Sequence, residues 1–314
     1  MRIRLAVHYE IEPRLMFSIK RFKYRYIPKK PEHSIFTLLK YVGYILFISL
    51  TLVMSNAHAS FNKNLWPEWE VNNPLSRASI DHSDWQEFLN RRVLTNQENI
   101  NLVDYSHLTD EDYTLLQRYI EKMSKIDINN YNRNEQLAFW INLYNALTVQ
   151  IIADYYPVGS VEEINISPGL FSIGPWGKKV VTINGVSLSL DEIQNRIIRP
   201  IWNDQRTLYA INNGSIGAAN LSKQAYRGST IDAALNEAAF NYVNSLRGAQ
   251  VIEGALVVSK IYDWFNEDFG GTKKDVITHL KQFAKEPLSS QLKHINDIDN
   301  YVYNWHLNST VSSE

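Results

Sequence analysis

From residue 109 onward, apolar side chains recur at the three-and-four spacing of helices, interrupted by two stretches that read as paired strands. Thr109 precedes a stripe of Leu115, Leu116, Tyr119, Ile120 and Met123, and Asp112 stands at the third position, as in a capped amphipathic helix. Residues 134–155 are apolar nearly all round, which predicts a helix buried at the centre of the fold and closed by Pro157. Ser189 with Glu192 three residues later predicts a capping box and a short helix that stops before Pro200. Thr230 opens another helix, with Leu235, Ala239, Tyr242, Val243 and Leu246 inward and Gly248 just past its end. A further amphipathic helix begins at Thr272 and carries Val276, Leu280 and Phe283. Lys179 to Ile183 and Val186 to Leu188 flank Asn184-Gly185, a strong hairpin signal, and Gln250 to Ile252 and Leu256 to Ser259 flank Glu253-Gly254 in the same way. Hairpins, not crossover units, make the expected fold α+β: a largely helical single domain over 60–308, with a buried central helix and short antiparallel hairpins. Residues 309–314 read as a polar tail.

The first 59 residues follow a different pattern. They carry ten Lys/Arg against three Asp/Glu, leaving 22 against 30 for the rest, so a leader near +7 precedes a body near −8. Lys20, Arg21, Lys23, Arg25, Lys29, Lys30 and Lys40 form a positive region, and Tyr41 to Met54 is an uncharged apolar run. Ala57-His58-Ala59 then offers the small-x-small pattern for cleavage before Ser60. The run is short for a membrane span, which needs ~20 apolar residues, so cleavage and export to the periplasm or extracellular space is preferred to anchoring by Tyr41 to Met54. Met16 is an alternative start to Met1.

Charge and composition narrow the chemistry. The acidic body offers no basic footprint for nucleic acid, and membrane contact is expected only through the leader. The chain has no cysteine, which excludes a thiolate nucleophile, a thiolate metal site and an iron–sulfur cluster. The histidines beyond the leader (His82, His107, His279, His294 and His306) show no i, i+4 pairing for a zinc site. No metal or other cofactor is expected. No serine sits in a G-x-S-x-G elbow, and Asp268-Phe269-Gly270 lacks the other parts of a kinase.

The strings AFWINLYNALTVQIIADYYP (Ala138 to Pro157), Gly169-Leu170-Phe171, Gly174-Pro175-Trp176, SLDEIQNRIIRPIW, YAINNGSIGAANLSKQAYRG, SKIYDWFNEDFGG and YVYNWHLN together resemble the domain of unknown function 547 family over most of 66–308. The resemblance implies an exported or membrane-linked protein, a likeness to cysteine-peptidase folds, and a Cys/His/Glu constellation. At the implied positions this chain has Leu208 for the His, Asn213 and Ala218 for the two Cys, and Gln194 for the Glu, with Ala219 in place of Pro. Tyr209, Ala210, Asn212, Ser215, Gly217, Asn220 and Leu221 keep the scaffold. Replacing all three members leaves no nucleophile, base or orienting carboxylate at those positions.

Asn142 and Asn145 share one face of the central helix, where buried amides either pin a neighbouring backbone or line a cleft. Asn212-Asn213-Gly214-Ser215 reads as a tight loop, or as the loop bearing the implied site. Asp263 reads as a cap or a site carboxylate, and Trp264 as a core aromatic more than a ligand platform. Candidate ligand-binding residues are therefore Asn142, Asn145, Tyr209, Asn212, Asn213, Ser215 and Asp263. The leading expectation is a binding or scaffolding module with a degenerate thiol site. A peptide, a glycan or an envelope protein is the partner class; 18 Tyr and 8 Trp suit such ligands if exposed. Two alternatives stand beside it: a hydrolase or transferase acting on amide bonds through Ser215 or Asp263, and a structural envelope protein.

Overall fold

The central helix, Arg133–Tyr155, organises the molecule. Asn132 caps it by accepting from the Asn134 and Glu135 amides at 3.1 Å each. Eighteen of its residues are buried, which is what an all-round apolar sequence demands. Against it packs Asp110–Ser124, where Thr109 and Asp112 close the expected capping box. Ser83–Arg92 adds Trp85, Phe88 and Leu89 to the same apolar cluster. A second cluster forms around Ile231–Val243 and Lys273–Phe283.

The computed structural model describes residues 63–169 and 172–311, and Ser60–Glu314 form one compact α+β unit. The leader, its cleavage site, the Leu170-Phe171 pair and the last three residues of the tail lie outside the described residues. No described helix is long and apolar enough to cross a membrane.

Both expected hairpins are present. β3 (Lys179–Ile183) pairs with β4 (Val186–Ser189), and β5 (Ala249–Ile252) pairs with β6 (Ala255–Ser259). Their turns place Asn184-Gly185 and Glu253-Gly254 at positive φ. A hairpin not foreseen joins β1 (Val93–Thr95) to β2 (Asn101–Val103). β7 (Asn300–Val302) joins β6 in parallel, so the second sheet is not purely antiparallel.

Two expectations need correction. Leu246 is not inward: it is 77% exposed, because the helix ends at Val243 and the chain turns before reaching it. Nor does the helix capped by Ser189 stop before Pro200; it runs from Leu190 to Trp202. It does so by widening into a π-helix over Ile193–Ile198, with the Arg199 amide reaching back five residues to the Gln194 carbonyl. Proline would clash with the carbonyl four residues before it in a regular helix. The wide turn leaves that carbonyl, Arg196, to accept from Trp66 at 3.2 Å, while Asn195 accepts from Asn64 at 3.1 Å. The described chain thus begins as a strap along the helix that carries Gln194.

Candidate functional site

The loop 210–221 is held from three directions. Asn145, on the central helix, donates to the Ala210 carbonyl at 2.9 Å and accepts from the Asn212 amide at 2.8 Å. One turn earlier, Asn142 makes the same paired contact with the Tyr226 backbone, at 2.8 and 2.9 Å. From the other side, Arg247 donates to the Ile216 and Ala218 carbonyls and to Asn220. The 304–308 segment lies along the loop, with the Gly217 amide bonded to the Asn304 carbonyl at 2.7 Å. A Cβ on Gly217 would lie 2.8 Å from the Asn304 nitrogen, so only glycine permits this approach. Asn212 faces inward, and both ends of its amide are engaged. It donates to Ala219 and accepts from Gly214 and Asn308.

Asn213 faces the opposite way. Its side-chain oxygen accepts from the Ser215 amide at 3.1 Å and lies 2.7 Å from Ser215 Oγ; its nitrogen donates to Tyr303 Oη at 2.9 Å. Ser215 Oγ and Tyr303 Oη are 2.9 Å apart. An amide oxygen can only accept, so Ser215 gives its single proton to Asn213 and receives one from Tyr303. The three side chains close a ring of hydrogen bonds. Burial raises the Tyr303 phenol to about 12, so it stays neutral. Among the described residues, Ser215 Oγ has these two hydrogen-bond partners and neither is a histidine or carboxylate.

The remaining implied positions divide. Gln194, on the π-helix, accepts from Tyr144 Oη at 3.4 Å. Tyr144 is buried on the central helix and lies within electrostatic reach of Tyr303 and Asp191. Gln194 is thus bonded to Tyr144, and Asn213 to Tyr303. Leu208 is buried in the second apolar cluster, against which Tyr303 packs, and Ala218 is buried with its carbonyl on Arg247. Tyr209 is fully buried, bonded to His279 at 2.8 Å and Tyr262 at 3.2 Å.

Above the ring stands an aromatic wall. Tyr303, Trp264 and Trp305 contact one another with centroids 4.6 to 5.4 Å apart, and Trp176 lies 5.7 Å from Trp305. All four are half-buried. Two acidic residues neighbour it, one through its backbone and one through charge. The Asp191 amide donates to the Trp176 carbonyl at 3.0 Å; burial raises its carboxyl, and neighbouring Glu192 adds to the effect. Glu162, raised by burial, lies within electrostatic reach of Tyr303. Trp176, Asp191, Glu162, Tyr303 and Trp305 were not singled out by residue type, because the segments that supply them are far apart in sequence. A surplus of Trp and Tyr was the available signal.

Asp263 is exposed, in the short helix Ile261–Trp264, after its cap residue Lys260. A surface Asp104–Ser106–His107 group resembles a hydrolase triad in composition alone. Ser106 Oγ and Asp104 Oδ1 both approach the same ring nitrogen, His107 Nδ1, at 3.0 and 2.8 Å, so the imidazole cannot relay a proton between them. No group of three His, Cys, Asp or Glu that could hold a metal ion occurs among the described residues.

Residues 128–243 match the family model described as protein of unknown function, DUF547. The matched stretch spans the central helix, the β3–β4 hairpin, the π-helix and the clamped loop, and ends before Tyr303 and Trp305. No curated protein and no solved structure matches the chain.

Proposed function

We propose that the folded part is an exported binding module in which a thiol site has been replaced by a neutral hydrogen-bonded floor. The observation that carries this reading is the ring of Asn213, Ser215 and Tyr303. It occupies the position where the family resemblance implies a nucleophile. Its hydroxyls are committed to neutral partners, and its phenol holds its proton, so it supplies neither a nucleophile nor a base at neutral pH. Half-buried rings above a polar floor suit a ligand that offers both apolar faces and hydrogen-bonding groups. Delivery by the leader would place this site outside the cytoplasm.

The test is turnover. The purified protein should show no hydrolysis of amide or peptide substrates, and hydrolysis that Asn213→Ala abolishes would overturn the reading. A second reading, a hydrolase working through other residues, draws on Asp191 and Glu162, whose raised carboxyls resemble those of general acids. It requires turnover that is lost in Asp191→Asn or Glu162→Gln. The Ser215 version of that reading loses support, because no base contacts the hydroxyl.

A further inference from the structure

We infer that the aromatic wall of Trp176, Trp264, Tyr303 and Trp305, with Asn213 and Tyr303 at its foot, takes a neutral oligosaccharide. The inference rests on the binding reading above and names the ligand class for the same site.

The spacing of the rings decides first. An aromatic cage for an ammonium group needs rings that surround an open space the size of the cation. Here Trp264, Tyr303 and Trp305 are already in contact with one another, at 4.7, 5.4 and 4.6 Å between centroids. Nothing fits between them. What they offer is an outward surface of tilted rings, extended by Trp176 at 5.7 Å. A pyranose ring presents a patch of C–H groups on one face and hydroxyls around its edge, and matches such a surface.

Charge decides next. The cation within electrostatic reach of Tyr303, Arg247, has its guanidinium on the Ile216 and Ala218 carbonyls and on Asn220. The net charge of the body, near −8 from residue 60 onward, repels polyanions. An anionic polysaccharide or a phosphorylated ligand is disfavoured.

Hydrogen-bonding capacity separates a sugar from a proline-rich peptide, the other ligand for which aromatic grooves are used. At the foot of the wall, the Tyr303 hydroxyl donates to Ser215, accepts from Asn213 and keeps one lone pair, and Asn213 has one N–H left to donate. The floor thus offers both an acceptor and a donor. A polyproline stretch offers carbonyl acceptors and few N–H groups, whereas sugar hydroxyls donate as well as accept.

The experiment is a titration of the purified protein with cellohexaose, maltohexaose and N-acetylchitohexaose, followed by tryptophan fluorescence and calorimetry. Polygalacturonate and a decaproline peptide serve as comparison probes. The expected result is saturable binding of at least one neutral hexasaccharide, weakened at least tenfold in Trp305→Ala with the melting temperature and circular dichroism retained. If Trp305→Ala does not fold, Trp305→Leu and Asn213→Leu carry the same expectation. Binding of decaproline or polygalacturonate without any neutral sugar would overturn the glycan class and leave the binding reading standing. Shortened sugar products in the mixture would overturn the non-catalytic reading and leave the glycan class standing. Absence of binding by every probe, or sugar binding indifferent to the variants, would overturn the inference itself.

Discussion

The polar groups of the interior and those beneath the aromatic wall differ in how they are partnered, and the difference separates structure from recognition. Asn142, Asn145 and Asn212 are fully buried amides held on backbone groups or on other buried amides. His82 and His279 are buried against Tyr119 and Tyr209, each at 2.8 Å. Asn213, Ser215 and Tyr303 instead satisfy one another through side chains beneath half-buried rings, with Ser215 itself buried and Asn213 partly exposed. Two adjacent asparagines, Asn212 and Asn213, fall on opposite sides of this division. Removing an interior group should cost mainly stability, and removing a group beneath the wall should cost mainly binding.

The largest effect expected on the interior side comes from acid. Burial lowers both His82 and His279 from 6.5 to about 4. Their rings stay neutral in the folded protein, while in the unfolded chain they take a proton near pH 6.5. The unfolded state therefore binds more protons between pH 6.5 and about 4. Stability is fully present above pH 6.5 and is lost as the pH falls toward 4, by about 3 kcal/mol for each ring. Urea midpoints at a series of pH values check this, and His279→Gln should remove about half of the slope. A flat profile would place both rings in contact with water and undo the comparison.

Asn145→Ala comes next. It leaves the Ala210 carbonyl and the Asn212 amide without their partner in a buried setting, and should cost about 3 kcal/mol by denaturant unfolding. Asn213→Ala, one residue along the loop from a group Asn145 holds, should cost about 1–2 kcal/mol, because it strands the Ser215 amide but leaves Ser215 and Tyr303 bonded to each other. It should nevertheless weaken ligand binding more than any stability loss explains. Equal stability losses in the two variants, with binding unchanged, would erase the distinction between interior and wall.

Much of the fold was legible because local signals agreed with tertiary ones. The central helix is apolar on every side and buried on every side. Asn184-Gly185 and Glu253-Gly254 both demanded the positive φ that the turns adopt. Ser83–Arg92 was passed over although Trp85, Phe88 and Leu89 mark its inner face, since His82 before it makes no side-chain cap. β7 has three residues and pairs in parallel with a strand some forty positions earlier, which no local pattern announces. The site divides in the same way. Asn213 and Ser215 stand in a recognisable string, but the partner that gives them meaning, Tyr303, is 90 positions beyond Asn213. Side chains brought together by tertiary packing leave no periodic trace in the chain. Asn220, read as scaffold, accepts from the Asn101 amide and from Arg247, a role that residue type alone did not disclose.

The smallest effect expected lies at the strap, and it asks on which side of the division the π-helix belongs. Lys63 Nζ contacts Asp268 at 3.0 Å and Asn203 at 2.7 Å, while the Asn64 and Trp66 amides bond the π-helix carbonyls independently. Asp268 also holds the buried Arg199, so Lys63→Met leaves that carboxylate paired. Lys63 is itself partly in water, and the loss should stay below about 1 kcal/mol. Hydrogen exchange should quicken at Asn64 and Trp66 and remain unchanged at Ser215. If oligosaccharide binding instead weakened severalfold in Lys63→Met, the strap would be shaping the aromatic wall through the π-helix. The boundary between scaffold and site would then run along the first described residues of the chain, not along the loop.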